Sequence, residues 1–309
     1  MTDLTLPPKK SRFRALRHNP VAMKELRSRM RGRRAFVVLT IYLLAMSAFV
    51  SLVYAAYASS ANTPYGPDAR VAGKAVFAGV LLVQGFMVLF VGPSFTVGAI
   101  TGEKERQTYD LLRTTLLGAN TLVLGKLISA LSYVFLLLIA SIPLQSIAFL
   151  LGGVAVEEVV VSQLVMLVAA VTFALWGLFC SSVMRSTQAA SVATFAGALF
   201  MVIGIPIIAF FFLIFGGVFF SMGITNWQLE VALVYVALLL AATNLPATLV
   251  TSAVILQEES AVFFFQNTFG GTHTVWFPSP WPIFLALYIL LALLLYWLSV
   301  RRVQRIADK

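Results

Sequence analysis

Long runs of apolar residues are the feature that most restricts how this chain can fold. A helix needs about 20 such residues to cross about 30 Å of hydrocarbon, and several runs reach that length. Of the 309 residues, 60% are hydrophobic and 11% are charged, whereas a soluble domain carries about 25% charged residues. We therefore predict an all-α polytopic membrane protein with six spans. The predicted spans are Ala35–Tyr57, Val76–Ile100, Leu127–Leu151, Gln163–Met184, Ala189–Phe215 and Trp281–Val300.

The region 221–280 allows two interpretations. Its apolar run Val231–Leu256 is broken by an Asn-Leu-Pro turn, so it forms either a seventh span or two short helices that enter and leave the membrane on one side. With the N-terminus inside, six spans place every Lys and Arg on the cytoplasmic side except Arg70 and Lys74. A seventh span would put the basic C-terminal tail outside, against the positive-inside rule. We predict both termini inside and an outer re-entrant helical hairpin at Gln228–Glu259.

Aromatic residues cluster between this hairpin and the last span. Rings with a polar edge prefer the boundary between lipid and water, so we expect the cluster at the outer interface. Its members are Phe263, Phe264, Phe265, Trp276, Phe277 and Trp281.

The predicted spans lack the residues that membrane catalysis and ion coupling require. They contain no Asp, Glu, Lys, Arg or His, which argues against a proton-driven carrier, an intramembrane protease and a metal-dependent lipid enzyme. The single cysteine, Cys180, cannot form a disulfide within the chain. The segment from Gly118 to Lys126 differs from a P-loop in its glycine spacing, and Leu127 stands where magnesium binding needs Ser or Thr. We therefore expect no catalysis and no cofactor bound by this chain.

The first 34 residues hold half of the basic residues, although the whole chain has a net charge of +10. Such a flank before a span is typical of a cytoplasmic membrane surface, so we expect lipid and not nucleic acid as its partner. Asn19 can cap a helix, and Pro20 suits its first position. We predict an amphipathic helix at the membrane surface, followed by a permease domain at 35–303 and a tail at 304–309. The interface residues of the helix are Met23, Leu26, Arg27 and Met30.

The segment Thr101–Lys126 joins the second and third spans on the predicted cytoplasmic side. It carries charged residues at its start, and Tyr109, Leu112 and Leu116 recur at helical spacing. Composition leaves two interpretations equally open. The segment is either a short amphipathic helix that inserts into a groove on a partner or a solvated connecting loop.

This segment resembles a motif of the type-2 permeases of ATP-binding-cassette exporters. That family has the form G-E-R-E-R-G-T-L-E-L-L-L-x-T-P-L, followed by G-K at the start of the third span. Here the sequence reads Gly102-Glu-Lys-Glu-Arg-Gln-Thr-Tyr-Asp-Leu-Leu112, followed by Gly125-Lys126. Gln107 replaces the usual Gly, and Thr115 replaces the usual Pro. The order of a basic N-terminal helix, two spans and this motif also matches the family.

The resemblance implies that residues 101–116 form a coupling helix that docks on a separate ATPase. The ATPase would act as two copies that bind ATP and magnesium, and the permease would pair with a second copy or a paralogue. It would lie in the inner membrane of a prokaryote and move its substrate by alternating access. The implied ATPase-coupling residues are Glu103, Glu105, Arg106, Thr108, Tyr109, Leu111 and Leu112.

The resemblance also implies that the second and fifth spans line the transport path. Polar and aromatic residues in these spans are candidates for that path, although the same residues are also suited to helix packing or lipid contact. The candidates are Gln84, Phe86, Phe90, Thr194 and Phe195.

Other functions remain open from the sequence. The chain could transmit force from an ATPase to an accessory protein on the outer surface. It could also be a passive channel or an uncoupled carrier.

Overall fold

The computed structural model describes residues 33–60, 68–107, 118–221, 227–258, 261–269 and 273–307. In chain order the elements are α1 (Arg33–Ser60), α2 (Ala69–Thr96), α3 (Thr101–Glu105), α4 (Ala119–Leu150), α5 (Val156–Val183), α6 (Thr187–Leu199), the π-helix π1 (Phe200–Gly204), α7 (Ile205–Ser221), α8 (Trp227–Ala242), α9 (Leu245–Glu258), β1 (Phe264–Phe269), β2 (His273–Pro278) and α10 (Pro280–Ala307).

Within this described part, six helical segments are long and apolar enough to cross a membrane. The prediction of a six-span, helical integral membrane protein is therefore confirmed. We number these segments spans one to six: Phe36–Ser59, Ala69–Glu105, Ala119–Leu150, Val156–Val183, Thr187–Val218 and Pro280–Gln304.

Several spans begin earlier than predicted. Span three starts at Ala119 and not Leu127, and span four starts at Val156 and not Gln163. These added turns place Lys126 and Glu158 inside helices, where their residues are 3% and 5% exposed. The prediction that the spans hold no ionisable side chain is therefore wrong at the helix ends. Buried charges persist there because each has a polar partner, which the sequence pattern does not reveal.

The helices α2 and α5 form the centre of the bundle. They pack against each other, with α4 and α10 also against α5, and α1 joins through α2 and α4. Tyr42, Phe77, Met166 and Phe284 contribute large side chains to the shared core. Glycine permits a close backbone contact between the connection before α5 and α2, because a Cβ at Gly153 would overlap the carbonyl oxygen of Arg70.

The predicted helical hairpin is present as two short helices, α8 and α9, joined at Thr243 and Asn244. They contain 16 and 14 residues, and each is shorter than the roughly 20 residues needed for a span. The helix α9 packs against α5 and α10, and Gln257 Nε2 donates to Glu158 Oε2 at 2.8 Å. The re-entrant position of this hairpin in a membrane remains a prediction.

A two-stranded antiparallel sheet precedes α10 and was not predicted. Phe265 faces Phe277 in its register, and Phe277 is completely buried against Tyr235 of α8. The rings of Phe263, Phe264 and Trp276 are more than half exposed, so the predicted aromatic cluster divides into a packed part and an exposed part. The described part of the chain is thus helical with one pair of antiparallel strands. These strands were missed because aromatic residues are common in both spans and strands.

The predicted amphipathic helix lies outside the described residues, and so do its interface residues Met23, Leu26, Arg27 and Met30.

Candidate functional site

The short helix α3 lies where the ends of spans three, four and five meet. It follows α2 after one turn and forms the end of span two, so it lies at the start of the segment that resembles the coupling motif. It contains five residues, Thr101 to Glu105, and four of them bond to neighbouring elements through their backbone or side chains. We call this arrangement the α3 junction. It comprises Thr101, Glu103, Lys104, Glu105, Lys126, Ser181 and Thr187.

Two adjacent charged residues of α3 bind the facing ends of spans four and five. Lys104 Nζ donates to the carbonyl oxygens of Ser182 and Met184, at 3.0 and 3.3 Å, where α5 ends. Glu105 accepts the backbone N–H of Thr187 at 2.6 Å, where α6 begins. A cation at a helix C-terminus and an anion at an N-terminus both complement the helix dipole. The turn between spans four and five is thereby held to α3 by charges of opposite sign.

Hydroxyl groups of Ser181 and Thr187 form further hydrogen bonds in the α3 junction. Ser181 Oγ accepts the backbone N–H groups of Ile100 and Thr101, at 3.0 and 3.1 Å. Thr187 Oγ1 lies 2.9 Å from Glu105 Oε2 and 3.1 Å from Thr101 Oγ1. Thr101 and Ser181 are both completely buried. Span four therefore supplies the acceptor for the N–H groups of Ile100 and Thr101, while the next N–H, of Gly102, bonds to the carbonyl oxygen of Gly98.

A buried ion pair joins α3 to span three. Lys126 Nζ lies 2.5 Å from Glu103 Oε1 and donates to the carbonyl oxygen of Ala99 at the same distance. Lys126 is 3% exposed, whereas the Glu103 side chain is 26% exposed, so the pair lies at the margin between protein and solvent. A displacement of α3 would separate these groups and leave the lysine charge buried without its partner.

The helix α3 ends close to Gln107, a position at which this sequence differs from the family's motif. Gln107 has a φ of 57°, in the left-handed region that favours glycine. Within the described residues, the predicted coupling helix 101–116 ends at Glu105. Thr108, Tyr109, Leu111 and Leu112 lie outside the described residues.

The structure places the predicted coupling residues in two different environments. Glu103 and Glu105 contact spans three and five of the same chain, while Arg106 is exposed. Sequence reasoning missed Lys104, Lys126, Ser181 and Thr187. Lys104 and Lys126 stand within the resemblance motif, and the polar break after span four was the signal for Ser181 and Thr187. The pairing itself depends on helices that are distant in the sequence.

Gln84, a candidate for the transport path, instead belongs to a ring of three glutamines. Gln145 Nε2 donates to Gln84 Oε1 at 2.9 Å, and Gln84 Nε2 donates to Gln163 Oε1 at 3.1 Å. Gln163 Nε2 completes the ring with a bond of 3.0 Å to Gln145 Oε1. Gln84 and Gln145 are each 1% exposed. This ring links spans two, three and four, as expected for the helix-packing alternative.

The aromatic candidates for the path form a stack between spans two and five. The ring centroids of Phe86 and Phe90 are 4.4 Å apart, and those of Phe90 and Phe195 are 5.9 Å apart. Phe86 is 53% exposed, so the stack reaches the surface of the single chain. Thr194 points away from solvent and is completely buried. Of the path candidates, the structure brings only these three rings together.

The described residues contain no group of three or more His, Cys, Asp or Glu side chains that could hold a metal ion. The α3 junction consists of hydrogen bonds and an ion pair between helices. No family model matches the chain, and no curated protein matches it.

Proposed function

We propose that this chain is the membrane subunit of an ATP-driven exporter and that a separate ATPase supplies the energy. The observation that carries the proposal is the α3 junction. A helix of five residues connects the loop of the resemblance motif to spans two, three, four and five. A partner that moves this loop would therefore move four spans together.

The charge distribution supports a cytoplasmic position for the α3 junction. Arg106 and Arg185 are exposed near the junction, and Arg301 and Arg302 are exposed at the end of α10. The end of α10 reaches the same side, because Val303 packs in one cluster with Ile100. Basic residues are enriched on the cytoplasmic side of membranes. We therefore expect an ATPase in the cytoplasm to meet the segment after Gln107.

Alternating access requires a helix set that can adopt two arrangements, of which the ATPase favours one in each nucleotide state. Span five suits the mobile part of such a set. In its most apolar 18 residues, 6% are buried, compared with 56% in span four. A second copy of the permease would face this exposed span, next to the stack of Phe86, Phe90 and Phe195. The path between two copies would then run along spans two and five.

The first experiment is affinity purification of the whole chain in mild detergent, followed by mass spectrometry and an ATPase assay. We expect a nucleotide-binding subunit to copurify and to show vanadate-sensitive activity. A chain that purifies alone under several gentle conditions contradicts the proposal and favours a channel or an uncoupled carrier. An outer-surface protein in the complex would favour force transmission over export.

A pair of matched variants tests the role of the α3 junction. Glu105→Gln removes the anion that caps span five, while Glu157→Gln removes an exposed carboxylate from the opposite end of span four. We expect the ATPase subunit to remain bound to both variants. Its activity in the complex should fall severalfold with Glu105→Gln and stay unchanged with Glu157→Gln. Equal activities in the two complexes would contradict coupling through the α3 junction.

A further inference from the structure

A cavity of about 210 Å³ lies between spans four, five and six. Its walls are mainly large apolar and aromatic side chains. They include Phe173 and Trp176 from α5, Phe200 and Met201 from π1, and Tyr288 and Leu295 from α10. The stack of Phe86, Phe90 and Phe195 contributes none of the lining residues, so this cavity is separate from the proposed path.

The polar groups in the cavity wall already have partners within the protein. Trp176 Nε1 donates to the carbonyl oxygen of Thr194 at 3.2 Å. Thr172 Oγ1 lies 2.9 Å from the carbonyl oxygen of Val168, and Tyr288 Oη donates to that of Thr243 at 3.0 Å. A polar ligand would leave its own hydrogen-bonding groups unpaired in such a space. The wall therefore favours a wholly apolar occupant.

The depth of the cavity also restricts the occupant. Thr172 is 16 residues from the first residue of α5, and Tyr288 is 8 residues from the first residue of α10. At a rise of 1.5 Å per residue, these positions lie about 24 Å and about 12 Å inside their helices. The cavity is thus within the hydrocarbon layer, where the abundant apolar molecules are the acyl chains of lipids.

The cavity borders on an irregular turn of span five. The connection between α8 and α9 holds this turn in place. The π-helix π1 interrupts the α-helical hydrogen bonding, and Asn244 Nδ2 donates to the carbonyl oxygens of Met201 and Val202, at 2.6 and 3.2 Å. Asn244 is 2% exposed and also accepts the N–H of Ala247 at 3.0 Å. Single-turn π-helices occur frequently at functional sites. Hydrogen bonds from the Asn244 side chain therefore fix the backbone at Met201, whose side chain forms part of the cavity wall.

We propose that this cavity binds one acyl chain of a membrane lipid. Apolar cavities of about 150 Å³ stay free of water and accept small hydrocarbons, so the larger space here has room for part of a chain. Phe200 is 59% exposed, which places one wall of the cavity at the lipid-facing surface and gives the chain an entry. The bound chain occupies the space beside π1 and contacts spans four, five and six together. The inference is independent of the exporter proposal, because it rests on other residues.

The test uses a phosphatidylcholine whose acyl chain carries a photoreactive diazirine. The whole chain is reconstituted in vesicles that contain this lipid, extracted into mild detergent, washed free of loosely held lipid and irradiated. Mass spectrometry then locates the adducts. We expect them at Trp176, Met201 and Leu295, with few at the exposed Ile207 and Phe210. Adducts spread evenly over the exposed positions, or no retained lipid, would overturn the proposal.

Two variants on α10 extend the test. Leu291→Phe adds volume to the cavity wall, and Leu290→Phe makes the same change at a neighbour that is 68% exposed. We expect cavity adducts to fall at least fivefold with Leu291→Phe and to remain unchanged with Leu290→Phe. Equal labelling of both folded variants would overturn the proposal. If Leu291→Phe does not fold, the adduct map of the unmodified chain decides alone.

Discussion

Spans four and five are consecutive, similar in length and strongly apolar, yet they have opposite positions in the bundle. In their most apolar 18 residues, 56% of span four is buried within the chain, compared with 6% of span five. Apolar character therefore shows that a segment lies in the membrane but not whether protein or lipid surrounds it. The difference lies in side-chain size, because lipid is as apolar as a protein core and adds no hydrophobic preference for either position.

Span four carries small residues where other helices approach. Ala169, Ala170 and Ala174 are at most 1% exposed, and Gly177 faces α2. Span five carries bulky residues on its exposed surface, such as Phe210 and Phe211, which are 61% and 54% exposed. Small residues let two backbones come close and gain packing contacts. In span four, small residues thus occupy positions where other helices approach, whereas bulky residues occupy the exposed surface of span five.

The largest expected effect comes from filling a close contact in span four. A Cβ at Gly177 would overlap Thr96 Oγ1 and lie 3.1 Å from the carbonyl oxygen of Pro93. A Cβ at Gly217 in span five meets no neighbouring atom within 4 Å. We expect Gly177→Val to lower the free energy of unfolding by about 3 kcal/mol, because α2 and α5 must separate. Gly217→Val should change it by less than about 0.5 kcal/mol.

Unfolding of both variants by dodecyl sulfate in mixed micelles measures this difference. Equal losses of stability would mean that the distinction between a packed and an exposed span is wrong.

The next effect concerns the ion pair at the α3 junction. Lys126→Met leaves the Glu103 carboxylate without its cation and removes a donor to Ala99. We expect a loss of about 2 kcal/mol, below the range for completely buried pairs, because Glu103 retains contact with water. Lys74→Met, at an exposed lysine, should have little effect. The same unfolding assay tests both variants.

A double variant identifies the origin of that loss. If the unpaired carboxylate is the cause, Glu103→Gln combined with Lys126→Met should recover part of the stability. A double variant whose loss equals the sum of the two single losses would contradict a direct interaction.

A smaller effect is expected from breaking the ring of glutamines that links spans two, three and four. Gln145→Leu removes bonds to Gln84 and Gln163, and interhelical hydrogen bonds in membranes contribute about 1 kcal/mol. Ser146 is an exposed neighbour whose hydroxyl bonds only within its own helix, to Pro143 at 2.6 Å. We expect Ser146→Ala to leave stability within about 0.5 kcal/mol of the unmodified chain. A larger loss for Ser146→Ala than for Gln145→Leu would contradict the packing role of the ring.

The sequence predicts the spans and the hairpin break because both depend on local signals. Apolar length locates each span, although the predicted starts of spans two, three and four are seven or eight residues too late. The Asn-Leu-Pro turn locates the junction of α8 and α9. The α3 junction depends on pairs that lie far apart in the chain, such as Glu105 with Thr187, so no local pattern reveals it. The β-hairpin had a signal that was not used. Two runs rich in aromatic and β-branched residues flank Gly270 and Gly271, a pattern typical of a hairpin.

The smallest expected effect lies on the exposed face of span five. Phe210 is 61% exposed and its ring lies beside that of Phe211 on the same helix, so Phe210→Leu should change the free energy of unfolding by less than about 0.5 kcal/mol. Phe284→Leu makes the same change in span six, at a completely buried ring whose centroid lies 3.8 Å from that of Tyr288. It should cost about 1 kcal/mol, because a core cannot fill the lost volume as fluid lipid does.

The unfolding measurement for Phe210→Leu becomes more informative when it is repeated at several ratios of protein to detergent. A small loss at every ratio means that lipid surrounds span five. A loss that exceeds that of Phe284→Leu and increases with protein concentration would mean that this face is buried against another copy of the chain, since only association depends on concentration. In that case span five would be a packed span of the assembled protein, and its bulky side chains would be contact residues between subunits.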